Sequence, residues 1–194
     1  MLTTLETTLP LMALGYLSGT WLGALTVCRL AGVRDPRLAG SCNPGFSNVL
    51  RLHGMRLALA TLLVDTVKGM PVLGLALLGD LPPWAQGLVG LGVMLGHSYP
   101  VWYRFRGGRA VASAFGVMLL LTPRVALCCA LLWCLLAWSG RTAALASLAS
   151  AALAPLFALW LAPAYTEVVI VFTLLVLVRH ALYLRGLSAS KRDD

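Results

Sequence analysis

Two stretches of this chain carry the residue types needed to hold a phosphate. The first, GSCNPGFSNVLR, runs from Gly40 to Arg51. Gly40 and Gly45 permit positive φ, which lets successive N–H groups converge on an anion. Ser41, Asn43, Ser47 and Asn48 add hydroxyl and amide groups, and Arg51 adds a planar fork that matches phosphate. The same stretch also suits a polar hairpin that only joins two spans. The second, LGHSYPVWYRFRGGRAVAS, runs from Leu95 to Ser113 and crowds Arg104, Arg106 and Arg109 around Gly107-Gly108. A Gly-Gly turn that opens a helix offers free N–H groups at the positive end of the helix dipole. An ordinary basic anchor at a membrane face accounts for the arginines but not for the glycine pair. The spacing is not that of a nucleotide-binding loop. His97 lies about three helical turns before Arg109. It is either a hydrogen-bonded structural group or one that orients or deprotonates a hydroxyl.

Three weaker signals follow. Asp65 and Lys68 stand at (i, i+3) inside an apolar run, where ionisable groups need a partner or a cavity, and pairing with each other is the modest reading. Gly69 and Pro71 just after them predict a kink. Arg141 lies in a short turn, and Arg179 and His180 close the last apolar run. The chain has no G-x-S-x-G, no H-E-x-x-H and no dinucleotide fingerprint, and neither His53 nor His97 is followed four residues later by aspartate. The residues themselves point to a site for a phosphorylated, lipid-related substrate.

The elements that must position these groups are membrane spans. Of the 194 residues 59% are hydrophobic and 11% charged, against roughly a quarter charged in ordinary soluble domains. Apolar segments fall at about 9–30, 57–79, 84–103, 110–122, 124–138, 144–162 and 165–183. This predicts an all-α polytopic protein of about seven transmembrane helices, the fourth and fifth short enough to be partial, forming a single domain over residues 1–194. The first run has no basic residue before it and Arg29 after it, the reverse of a secretory signal, so it reads as a retained span with its N-terminus outside. The C-terminus is then cytoplasmic, and 13 of the 15 Lys and Arg lie on the inner face, Lys68 and Arg124 excepted. The net charge of +8 thus serves orientation and anion binding, and no nucleic-acid partner is expected. The five cysteines show no metal or disulfide spacing.

In order and spacing, DPRLAGSCNPGFSNVLR, DTVKG, LGHSYPVWYRFRGGRAVAS, RTAALASL and RH resemble the acyl-phosphate:glycerol-3-phosphate acyltransferases of bacterial membranes, the PlsY family. The resemblance covers nearly the whole chain. It implies a multi-pass enzyme of the bacterial cytoplasmic (inner) membrane with its active face in the cytoplasm. Such an enzyme transfers a fatty acyl group from acyl phosphate to the 1-hydroxyl of glycerol 3-phosphate, giving lysophosphatidic acid for phospholipid biosynthesis. The implied partners are acyl phosphate, glycerol 3-phosphate, membrane lipids and an enzyme that supplies the acyl phosphate. No metal and no cofactor are expected. Ser41, His97 and Arg109 are the expected catalytic residues. Gly40, Asn43, Gly45, Ser47, Asn48, Arg51, Arg106, Gly107, Gly108 and Arg141 are the expected phosphate- and substrate-binding residues. No nucleophile–base pair is evident, so direct transfer is expected, with Ser41 a phosphate ligand.

The chain departs from the family pattern at several positions. Cys42 and Ala110 stand for glycines, Phe46 for alanine, Arg106 and Arg109 for lysines, Ala144 for a serine and Tyr183 for an asparagine. Ala144 and Tyr183 leave a second reading open: a relative that binds phosphorylated lipids, or serves a membrane complex, without transferring acyl groups. A third, a transporter, rests on the polytopic character and the Asp65–Lys68 pair.

Overall fold

A computed structural model describes residues 2–190, with side chains over residues 4–183, and among these there is no strand. Ten α-helices follow in order: α1 (Leu2–Gly19), α2 (Gly23–Leu30), α3 (Phe46–His53), α4 (Met55–Val67), α5 (Met70–Leu78), α6 (Pro83–Ser98), α7 (Val111–Leu121), α8 (Pro123–Trp138), α9 (Ala143–Leu161) and α10 (Thr166–Ser190). Four stretches are long and apolar enough to cross a membrane: Thr4–Leu30, Met55–Leu78, Ala143–Leu161 and Pro163–Tyr183. Val111–Leu121 and Pro123–Trp138 are apolar but shorter. The expectation for the tail beyond Ser190 lies outside the described residues.

α6 is the central helix, and it meets α1 backbone to backbone. A Cβ on Gly15 would come within 2.7 Å of the Val89 carbonyl oxygen, and Cβ atoms on Gly92 and Gly96 would collide with the Met12 and Tyr16 carbonyls. Glycines four apart on both helices make this approach possible, the packing mode that works where lipid removes the hydrophobic drive between helices. Outward faces remain apolar: Leu127, Leu131 and Leu135, one turn apart on α8, are 55%, 64% and 60% exposed, as a lipid-facing stripe requires.

The first two apolar runs are each broken, and the breaks satisfy one another. The chain leaves helix at Thr20–Leu22, which frees the Trp21 carbonyl and the Gly23 N–H. The Gly23 N–H donates to Asp65 Oδ1 at 3.1 Å and Lys68 Nζ donates to the Trp21 carbonyl at 2.8 Å. Lys68 Nζ also donates to Asp65 Oδ1 at 3.0 Å, the pairing their spacing suggested. The expected kink follows at Gly69, with Pro71 in the first turn of α5, and the Ser18 hydroxyl donates to the Lys68 carbonyl there. Buried backbone groups without partners are costly in hydrocarbon, so the ion pair has a structural duty.

Two expectations are corrected. The segment after Pro44 is not a loop: α3 begins at Phe46 and runs to His53, and Gly54 at φ +85 separates it from α4. The chain also reverses after Ser98, so that Gly107 and Gly108 return to the end of α6, and His97 and Arg109 are not separated by helical turns.

Candidate active site

A cavity of about 500 Å³ opens between α3, α7, α8, α9 and α10. Its wall runs from Ala110 to Met118 on α7 and from Thr142 to Ala154 beside α9, about 12 Å and about 18 Å at 1.5 Å per residue. Its polar end gathers the caps and first residues of three helices: Gly45–Ser47 at α3, Ala110–Ala112 at α7 and Thr142–Ala144 at α9. Helix N-termini present unpaired N–H groups and the positive end of the dipole. Arg51, Arg109, His97 and His180 line the same end. Deeper, the wall is Met118, Ala126, Ala151, Ala154, Phe172 and Val176. One end suits an anion and the other a hydrocarbon.

Asn48 builds the first wall by holding the 36–48 segment closed. Its Nδ2 donates to the carbonyls of Pro36 (2.8 Å) and Ala39 (3.1 Å), and its Oδ1 accepts from the Ser41 N–H at 2.9 Å. Both amide donors are thereby used inside the loop. Gly40 adopts φ +61, and a Cβ there would collide with Asn48 Oδ1. Gly45 does not use the positive φ expected of it and is extended at φ −150. Cys42 takes the left-handed conformation at φ +55, as does Ala110 at φ +60, the two positions where the family pattern has glycine. These departures place side chains on strained backbone. Phe46 packs edge-on against Trp133, ring centres 6.3 Å apart, and so ties α3 to α8.

The Gly-Gly turn works differently from its sequence reading. The Gly107 N–H donates to the Ser98 carbonyl at 3.2 Å and the Gly108 N–H to the His97 carbonyl at 3.0 Å, so neither is free for an anion. Their carbonyls accept from Arg179, which donates through Nε to Gly108 at 3.1 Å and through Nη2 to Gly107 and Gly108 at 3.2 and 2.9 Å. Arg179 also stacks on Tyr99 at 4.5 Å. The glycines serve close approach: a Cβ on Gly108 would collide with His97 Nε2, and one on Gly107 with the His97 carbonyl. The N–H groups left for an anion belong to the start of α7, beyond the pair.

The expected cationic residues divide. Arg51 and Arg109 line the cavity. Arg106 and Arg141, expected among the substrate-binding residues, are exposed and do not line it. Gly40, Gly107 and Gly108 also stand outside the lining and act on its walls, whereas Ser41, Asn43, Gly45, Ser47 and Asn48 border the cavity. Half-buried Arg109 lies 3.8 Å over the Tyr183 ring, whose hydroxyl donates to the Ser41 carbonyl. Burial pulls the Arg109 pKa down from its usual range, though a guanidinium remains a cation. Ala144 lines the cavity without a polar group, and its neighbour Ser147 donates to the Ala143 carbonyl at 2.8 Å and accepts from Trp133 Nε1 at 3.0 Å.

Sequence reasoning underrated α10. Phe172, Val176 and His180 line the cavity at four-residue intervals, and continuing the 3.6-residue period of the last span past Val176 would have placed His180 with them. His180 is 3% exposed and pairs through Nδ1 with the Val176 carbonyl at 2.8 Å. The contact between Lys68 and His97 had no sequence signal, because it joins two separate helices.

The comparisons agree with this geometry. The family model for glycerol-3-phosphate acyltransferase matches residues 9–189. A glycerol-3-phosphate acyltransferase of Chromohalobacter salexigens is 63% identical over 93% of this chain and 89% of its own. That of Idiomarina loihiensis is 42% identical over 95% and 94%. The crystal structure of PlsY (YgiH), an integral membrane glycerol 3-phosphate acyltransferase, in its glycerol 3-phosphate form superposes with a TM-score of 0.82 at 31% identity, covering 95% of this chain and 93% of that one. Its lysophosphatidic acid form gives 0.81 at 30%. With the match running through the phosphate-suited loops and the cavity-lining helices alike, this chain belongs to the glycerol-3-phosphate acyltransferase family.

Proposed function

We propose that this chain transfers a fatty acyl group from acyl phosphate to the 1-hydroxyl of glycerol 3-phosphate, releasing lysophosphatidic acid and inorganic phosphate. The observation that carries this reading is the shape of the cavity: three helix N-termini and two arginines at one end, and an apolar arm at the other. Arg51, Arg109 and the N-termini of α3, α7 and α9 hold phosphate, and the arm takes the acyl chain. The acceptor oxygen forms a bond to the acyl carbon. The acyl–oxygen bond to phosphate breaks, and the phosphate leaves with the bonding pair. His180 Nδ1–H donates to the Val176 carbonyl, which leaves a lone pair on Nε2 to take the hydroxyl proton and pass it to the departing phosphate. Acyl phosphate already carries a good leaving group, so holding the reactants and stabilising charge is the main task.

The same reading makes the chain a single integral domain of the bacterial cytoplasmic membrane, with seven crossings in which α1–α2 and α4–α5 each form one. The N-terminus is then outside, the C-terminus inside, and the cavity mouth in the cytoplasm, where the soluble acceptor is found. In a background lacking native cysteines, an impermeant thiol reagent from outside labels position 80 and leaves position 106 untouched; the reverse pattern inverts the topology. The reading in which the chain binds without transferring loses one of its two motives, because Tyr183 has a bonded place in the site. The deciding experiment is an assay of purified protein with acyl phosphate and glycerol 3-phosphate. Lysophosphatidic acid forms and the protein mass is unchanged. No product overturns the activity, and a stable acyl adduct on Ser41 overturns direct transfer.

A further inference from the structure

His97 borders the polar end of the cavity, and its ring meets two charged groups, Asp65 and Lys68, at the end of α4. Lys68 Nζ lies 2.7 Å from Nδ1, while the nearer oxygen of Asp65 lies 3.6 Å away, too far for a hydrogen bond. The three atoms form a close triangle in which lysine, not the carboxylate, is the hydrogen-bond partner of the ring. All three groups are almost fully buried: Asp65 is 1%, Lys68 6% and His97 3% exposed.

The proton count follows from the partners. An ammonium has three N–H donors and no acceptor. Lys68 Nζ has three neighbours at hydrogen-bond distance: the Trp21 carbonyl at 2.8 Å, Asp65 Oδ1 at 3.0 Å and His97 Nδ1 at 2.7 Å. Two of these can only accept, and the third completes the set if Nδ1 accepts as well. A neutral amine accepting from the Nδ1–H of a neutral ring would leave the buried Asp65 carboxylate with no counter-charge, and a neutral amine beside a protonated ring would put the proton on the weaker base. Asp65 and Lys68 then cancel in charge and the ring stays neutral. A neutral imidazole that accepts on Nδ1 carries its proton on Nε2. That edge faces the Gly108 backbone, where a Cβ would strike it, and among the described residues Nε2 has no hydrogen-bond partner.

We infer that Lys68, braced by Asp65, is a positioning residue that fixes His97 as the Nε2–H tautomer, so that His97 serves the phosphate end of the cavity as a hydrogen-bond donor and not as a proton acceptor. The donor role toward an anionic substrate rests on the function proposed above; the tautomer does not. The two histidines of the cavity are thus opposite in kind, His97 presenting a proton and His180 a lone pair.

Two measurements test this. In detergent-solubilised protein labelled with 15N-histidine, the His97 resonances, assigned by their loss in His97→Gln, show a protonated Nε2 and an unprotonated Nδ1 at neutral pH. In Lys68→Met the Nδ1 partner is gone and the ring populates both tautomers. A His97 protonated on Nδ1, or on both nitrogens, in the unaltered protein overturns the inference whatever the activity. In the acyl-transfer assay, the side-chain amide introduced by His97→Gln keeps a donor near the Nε2 position but offers no comparable base. His97→Gln therefore retains activity within about tenfold, while His97→Leu loses about a hundredfold to a thousandfold, the scale of one lost donor to developing charge. If both variants fold and lose activity equally, the donor role is overturned. If the unaltered protein transfers no acyl group, the proposed function falls, and the 15N spectrum still decides the tautomer.

Discussion

The guanidinium of Arg109 lies 3.8 Å above the centre of the Tyr183 ring, and the hydroxyl of that ring is bonded to the carbonyl of Ser41. One side chain of α10 thus joins the arginine that precedes α7 to the loop that precedes α3. An asparagine has no aromatic face to offer the cation. The departure at Tyr183 therefore has a positive role: it holds two walls of the polar end of the cavity together.

Tyr183→Asn lowers kcat/KM for glycerol 3-phosphate. A cation–π contact contributes about 0.5–2 kcal/mol, which is roughly two- to thirtyfold. Tyr183→Phe keeps the ring and loses only the bond to Ser41, so it falls less. A Tyr183→Asn enzyme as fast as the parent would show that the stack does not position Arg109.

Arg109→Ala and Arg106→Ala separate a lining arginine from an exposed one. Truncating a buried charge contact costs about 2–5 kcal/mol, so Arg109→Ala raises KM for glycerol 3-phosphate by thirtyfold or more, at roughly 1.4 kcal/mol per tenfold. Exposed Arg106 contributes about 1 kcal/mol at most. Equal losses from the two changes would mean that Arg106 turns inward when substrate binds.

Asn48→Ala strips the 36–48 segment of its clasp. Each buried group left unpaired costs about 1–3 kcal/mol, and the loop carrying Ser41 loses its order. KM for glycerol 3-phosphate rises about tenfold or more, while the fold, anchored by α6, persists. Asn48→Asp keeps an acceptor for the Ser41 N–H but no donors, and it fails as well. An unchanged KM in Asn48→Ala would count against the clasp.

Cys42→Gly stabilises the protein. A left-handed conformation costs an ordinary residue about 1–2 kcal/mol, partly offset by the greater chain entropy of glycine. The net gain of about 1 kcal/mol raises Tm in micelles by about 2–4 °C for a chain of this size. Cys42→Ser, still strained, gains nothing. A Tm unmoved by glycine would argue that Cys42 leaves the left-handed region in solution.

Gly96→Ala and Gly74→Ala form a matched pair in helices. A methyl on Gly96 strikes the Tyr16 carbonyl, whereas none of the surroundings of Gly74 comes within 4 Å. Overpacking of this kind costs about 1–3 kcal/mol, and Tm drops accordingly for Gly96→Ala. Gly74→Ala raises Tm slightly, because alanine is the better helix former. Similar shifts for both would deny the close α1–α6 contact.

The helices of the second half were legible because their apolar runs are long and end at proline, glycine or arginine: 124–138 and 144–162 lie within a residue or two of α8 and α9. α3 was not, since eight residues with Ser47, Asn48, Arg51 and His53 resemble a polar loop until the chain is folded against it. The sign of the charge at the phosphate end was legible, but not which arginines supply it. Spacing cannot tell Arg109, stacked on a ring from α10, from Arg106, three residues earlier and exposed. Nor could spacing show that Arg179 would take the carbonyls of the Gly-Gly pair, a contact across 71 residues.

The three helix N-termini around the cavity have an evolutionary consequence. Peptide N–H groups are not written in any one codon, so drift at the side chains there leaves that part of the attraction for phosphate in place. Such a site can absorb a change like the alanine at 144 without losing its character. Proline is the one amino acid that deletes an N–H outright while still suiting the first turn of a helix. At the openings of α7 and α9, proline is therefore the substitution that removes attraction for phosphate without disturbing the helix.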